Sequence, residues 1–126
     1  MKETDVMKNG AKNSTLRVKS YTFALRMVRL SQFLQEKKEF VLNKQVLRSG
    51  TAIGALIREA EFAQSRADYI NKFYISLKEA NETDYWLSLL KDTNYIEPVL
   101  YESLSFDCNE LISILVSTIK TLKTKN

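Results

Sequence analysis

The chain has 126 residues, 44% of them hydrophobic and 27% charged, with a formal net charge of +4. That length suits one domain with a real core and is short for two, and the composition excludes disorder for the body of the chain. Histidine is absent and cysteine occurs once, at Cys108, so the commonest general base and metal ligand is missing and an internal disulfide framework is excluded. A lone cysteine fits a reducing cytosol. No apolar run approaches a membrane span and the N-terminus lacks the apolar core of a signal peptide, so a cytoplasmic location is expected.

Residues 1–13 are polar, mixed in charge and without periodicity, and they read as a flexible lead-in to a bundle over 14–126. A first helix is predicted from about Ser14 or Thr15. Phe23, Met27, Leu30 and Leu34 recur on it at heptad-like spacing with Val28 beside them, and Lys19, Arg26, Arg29 and Lys37 lie on its outer face. Glu36 to Lys44 breaks the pattern: Lys37-Lys38-Glu39 is charged, Phe40-Val41-Leu42 is a short apolar plug, and Asn43 is a candidate N-cap.

Helix two is predicted from about Lys44 to Phe62 or Ala63. Inside it Gly50 and Gly54 fall on one face. A glycine in a helix costs about 1 kcal/mol relative to alanine, so the pair needs a reason. A strip almost free of side chains lets another helix come close, and tight packing is predicted there. Arg48, Arg58 and Glu59 exclude a membrane helix, and a phosphate-cradling loop would need a preceding strand and a following Lys-Ser/Thr pair.

Ser65-Arg66-Ala67-Asp68 has the form of a capping box and opens helix three, which runs to about Thr93. Its stripe is Ile70, Phe73, Leu77, Ala80, Leu87 and Leu90, interrupted by Asp84. Asn94 suits a left-handed cap, and Pro98 cannot continue the preceding helix. Helix four takes the rest, with Leu104, Cys108, Leu111, Leu115 and Leu122 on one stripe and Ile112, Val116 and Ile119 adjacent. Four amphipathic helices with short connections give an all-α, antiparallel up-down-up-down four-helix bundle.

Catalytic chemistry has few candidates. Glu59, Glu79 and Glu82 could meet inside a bundle as in di-iron carboxylate proteins, but those sites also use histidine; neither a metal nor another cofactor is expected. Glu79 and Glu82 are expected to face solvent or to pair with Lys78 and Arg58. Ser49, Thr51 and Cys108 have no base to activate them, and Cys108 reads as a small core residue. Tyr69, Tyr74, Tyr85 and Trp86 share helix three and cannot all enter one small core, while Ile114 sits off the stripe of helix four. Apolar surplus of this kind points to self-association.

Gln45-Val46-Leu47-Arg48-Ser49-Gly50-Thr51-Ala52-Ile53-Gly54-Ala55, then Arg58-Glu59-Ala60, Gln64 to Ile70, and Ser76-Leu77-Lys78-Glu79-Ala80-Asn81-Glu82-Thr83-Asp84-Tyr85-Trp86-Leu87 form a specific combination. It resembles the bacterial four-helix-bundle proteins related to those encoded within intervening sequences of 23S ribosomal RNA genes. That family includes the accessory variability protein of diversity-generating retroelements. The match covers about Gln45 to Leu90, and Leu56 stands where members commonly carry asparagine. The resemblance implies a homopentamer without enzymatic activity. In the retroelement branch it also implies a basic surface for nucleic acid and a reverse transcriptase as partner.

Charge along the chain is uneven. Through Arg48 the basic residues far outnumber Glu3, Asp5, Glu36 and Glu39, whereas acids dominate from Glu59 to Glu97. Arg17, Lys19, Arg26, Arg29, Lys37, Lys38, Lys44 and Arg48 are the candidates for phosphate contact with RNA or DNA, without base readout. The alternative is a structural or adaptor protein that binds only protein, its basic third being a solvated face or one side of a subunit contact.

Overall fold

The computed structural model describes residues 3–124, with side chains from Thr15 onward. Four helices follow one another: α1 (Glu3–Glu36), α2 (Val41–Ala60), α3 (Arg66–Asp92) and α4 (Pro98–Thr124). Each packs on its chain neighbours and α4 closes against α1, while the diagonal pairs do not meet. This is the up-down-up-down bundle that the sequence predicts, and its loosest seam is the one between α1 and α4.

α1 begins well before Ser14. No proline interrupts the polar lead-in, and extending a nucleated helix is far cheaper than starting one. Of the expected lead-in, Met1 and Lys2 lie outside the described residues.

The end of α1 is built from a residue that sequence rules would not choose. Lys38 takes a left-handed conformation with φ 61°. Its N–H donates to the Gln35 carbonyl at 3.0 Å and the next N–H, of Glu39, donates to the Leu34 carbonyl at 2.9 Å. These are the paired bonds of a Schellman termination, usually made by glycine. α3 ends the same way on Asn94 (φ 65°), the predicted cap, with Tyr95 N–H donating to the Leu90 carbonyl at 2.9 Å.

α2 starts three residues earlier than predicted and ends at Ala60, and Asn43 is not its cap. The Glu39 carboxylate caps the helix instead, accepting from the Asn43 N–H at 2.9 Å. The Asn43 side chain is turned into the bundle, where its amide donates to the Ser31 carbonyl at 3.2 Å and its oxygen accepts from the Ser31 hydroxyl at 2.6 Å. Ser65 does cap α3, accepting from the Asp68 N–H at 3.1 Å, and the Asp68 carboxylate accepts from Gln64 N–H at 3.1 Å.

The core takes Leu16, Phe23, Met27 and Leu34 from α1, and Val46, Ile53 and Ile57 from α2. Phe73, Ala80, Leu87 and Leu90 of α3 meet them, with Leu104, Cys108, Leu111, Leu115 and Leu122 of α4. On α3 the stripe is more polar than predicted, because Ser76 and Thr83 are fully buried while Ile70 and Leu77 are only partly so. The small hydroxyls are satisfied at short range: Ser76 donates to the Ile53 carbonyl at 3.0 Å and Thr83 approaches Ser49 at 2.9 Å. Small residues on both helices therefore bring α2 and α3 close without leaving a buried polar group unpaired.

The glycine pair faces α1. A Cβ on Gly50 would lie 2.4 Å from Met27 Cγ, and one on Gly54 would lie 3.1 Å from Ser20 Oγ. The strip is filled by these two α1 side chains, which is the close packing the spacing predicts.

Candidate nucleic-acid interface

The eight basic candidates separate into two groups once the helices are assembled. Arg17 donates to both carboxylate oxygens of Glu61, at 2.9 and 3.1 Å. Lys19 lies 3.1 Å from Glu110, joining α1 to α4. Arg26 lies 2.6 Å from Asp107 and also donates to the Ser103 hydroxyl at 2.9 Å. Arg48 spans Glu79, at 2.8 Å, and Glu82. Its pKa is raised, chiefly by the hydrogen bond to Glu79, and Glu82 in turn accepts from the Trp86 indole at 3.3 Å. These four cations fasten one helix to another.

Glu79 and Glu82 thus pair with Arg48 and not with Lys78 or Arg58. Arg58 lies over the ring of Tyr21, 5.5 Å from its centroid. The i, i+3 spacing of Glu79 and Glu82 puts both carboxylates on the face of α3 that meets Arg48 across the close α2–α3 contact.

Arg29, Lys37, Lys38 and Lys44 remain. All are exposed, and among the described residues none makes an ion pair. Lys37, Lys38 and Lys44 bracket the α1–α2 turn, and Arg29 stands two turns back along α1. Of the nearby acids, Glu39 is buried as the cap of α2 and Glu36 is exposed. Two aromatic rings lie in the same stretch: Phe40 is 59% exposed, and Phe33 has the Lys37 ammonium 5.0 Å from its centroid.

The apolar surplus follows the sequence reading at Tyr85 and departs from it at Ile114. Tyr85 is exposed and meets Trp86 edge-on at 5.0 Å, whereas Ile114 packs partly buried against the core. The longest exposed apolar row lies on α1, where Val18, Tyr21, Leu25 and Val28 follow a 3-4-3 spacing opposite the core stripe. Sequence reasoning missed this row, although its heptad offset from Phe23, Met27 and Leu30 was there to be counted.

Elsewhere Cys108 is buried and its thiol is pushed up to about 12, first by desolvation and then by the charge of Asp84. It donates to the Ala80 carbonyl at 3.2 Å. Among the described residues no group of three or more His, Cys, Asp or Glu could hold a metal, and no helix is long and apolar enough to cross a membrane.

Fold and surface together define a small helical bundle tied by inter-helix ion pairs, with a basic turn at one end. The family model of the 23S rRNA-intervening sequence proteins matches residues 12–117. The chain belongs to that family. A solved structure of a protein of unknown function from the S23 ribosomal protein family of Bacteroides thetaiotaomicron VPI-5482 is similar to it, with 58% identity and a TM-score of 0.85 over 86% of this chain and 98% of that one. No curated protein matches the chain.

Proposed function

We propose that the protein is a non-enzymatic, self-associating bundle that contacts the phosphate backbone of RNA or DNA through the α1–α2 end. One observation carries this reading: the ion pairs consume Arg17, Lys19, Arg26 and Arg48, while three of the four candidates left over, Lys37, Lys38 and Lys44, gather at the α1–α2 turn, with Arg29 two helical turns back along α1. A cluster of exposed cations that form no ion pair among the described residues releases counterions when it neutralises phosphates, so binding is sequence-independent and falls steeply with salt. Its absence of histidine and a Cys108 held as the neutral thiol favour a binding role over catalysis. A labelled oligonucleotide titrated at several salt concentrations tests it. Binding that weakens linearly in log salt is expected, and no binding at about 50 mM salt would contradict it.

Self-association rests on the exposed row Val18, Tyr21, Leu25 and Val28, which has the spacing of a helix-packing seam. Together with the family resemblance it favours a homopentamer. Light scattering on the eluting protein should give a mass several times 14.6 kDa, and a monomer throughout a dilution series would contradict this. An adaptor that binds only protein would use this seam and leave the basic turn idle. An accessory to an rRNA intervening sequence or to a reverse transcriptase would use both.

A further inference from the structure

On the α1–α2-turn side of the Arg26–Asp107 bridge, α1 and α4 part and leave an open cavity of about 290 Å³. Arg26, Arg29, Leu30, Phe33, Leu100 and Leu104 line it. We propose that this groove receives one unpaired nucleobase of a bound strand, its flanking phosphates resting on Arg29 and Lys37. The proposal rests on the phosphate-contact reading above and adds to it a preference for strands whose bases are free.

The floor is aliphatic, and Phe33 supplies an aromatic ring for a planar heterocycle, the surface on which unpaired bases stack without regard to sequence. Lys37 lies over the same ring and Arg29 lines the cavity without an ion pair among the described residues, so phosphates on either side of the inserted base meet positive charge. Arg26 has its guanidinium committed to Asp107 and Ser103 and acts as a wall. The groove is continuous with the basic turn, since Phe33 lies in the last turn of α1 and Lys37 directly follows that helix. A second cavity on the same seam, beside Val18 and Thr22, is lined by Lys19, Asp107 and Glu110, and its one cation is already paired with Glu110, so it offers phosphate no free positive charge. In a duplex the bases are held in the stack, so only a single strand, loop or bulge can offer one.

The test is fluorescence anisotropy with two labelled probes of equal length and charge, a uridylate dodecamer and the same backbone without bases. The parent should bind the base-bearing strand at least about 5-fold more tightly, as expected for one stacked base. Phe33→Leu, which keeps the groove apolar, should remove that preference, so that the variant binds the two probes with equal affinity. Equal binding of both probes by the parent overturns the groove and leaves the phosphate reading standing. Binding of neither probe overturns both. A changed oligomer mass in Phe33→Leu, measured by light scattering on the same sample, overturns the base-binding assignment by placing Phe33 in a subunit contact.

Discussion

The guanidinium of Arg26 lies 2.6 Å from the carboxylate of Asp107, across the seam where α1 and α4 are most loosely packed. Arg29, one turn further along the same helix, makes no ion pair among the described residues. The two arginines look equivalent in the sequence and differ because α4 places a carboxylate, Asp107, beside Arg26, while the α4 residues lining the groove with Arg29 are Leu100 and Leu104. Arg26→Gln should therefore lower stability by roughly 1 kcal/mol, the scale of a partly exposed charge-assisted bond. Arg29→Gln should leave stability unchanged and weaken polyanion binding. Urea unfolding of both variants checks the first half, and equal midpoints for the two would contradict it.

Gly50 and Gly54 make unequal demands. An added Cβ at Gly50 meets Met27 at 2.4 Å and must push it aside, whereas at Gly54 the contact with Ser20 Oγ is 3.1 Å and needs only a small shift. Gly50→Ala should cost about 1–3 kcal/mol through overpacking. Gly54→Ala should be near neutral, because about 1 kcal/mol of helix propensity offsets the tighter contact. Gly54→Leu cannot be accommodated against Ser20 and should lower both the thermal midpoint and the helical circular dichroism signal. Thermal unfolding of the three variants gives the order directly.

Lys38 sits at φ 61°, a conformation that costs a side-chain-bearing residue about 1–2 kcal/mol and glycine nothing. Lys38→Gly should raise stability by about 1 kcal/mol, despite glycine's greater freedom in the unfolded chain, and should remove one phosphate contact. Stability and affinity then move in opposite directions, which a loss of fold could not produce.

The helices, their order and most of the core were legible because periodicity reports one buried face, and α1 to α4 each bury one. What local patterns could not give was the identity of the partner across a seam. Asn43 reads as a cap by residue type, yet the preceding Glu39 reaches the helix N-terminus and frees Asn43 to tie α2 to Ser31. Lys38 as a helix terminator is invisible to rules that look for glycine or asparagine. The basic third of the chain was counted correctly as charge. Its division into structural and free cations depends on Glu61, Glu79, Glu82, Asp107 and Glu110, all distant in sequence. Cys108 and the glycine pair were placed correctly because small size alone fixed their role.

Cys108 offers a check on the core. With the thiol pushed up to about 12, it stays protonated at pH 8, where an unperturbed thiol near 9 would already be partly thiolate. Alkylation of the native protein at pH 8 should be far slower than in urea, and equal rates would show that Cys108 is not buried.

Which cations are free decides where phosphate can bind, and one comparison tests that most directly. The salt dependence of oligonucleotide binding should be measured for a variant carrying Arg29→Gln, Lys37→Gln and Lys44→Gln, and for a second carrying Arg17→Gln and Lys19→Gln, with oligomer mass recorded on each sample. The first variant should flatten the slope of log affinity against log salt by roughly 0.7 for each lost contact to a single strand, at unchanged mass. The second should leave the slope at the parent value, because Arg17 and Lys19 are engaged by Glu61 and Glu110. A slope that flattens in the second variant and not in the first would contradict the assignment of the α1–α2 turn as the phosphate-binding surface.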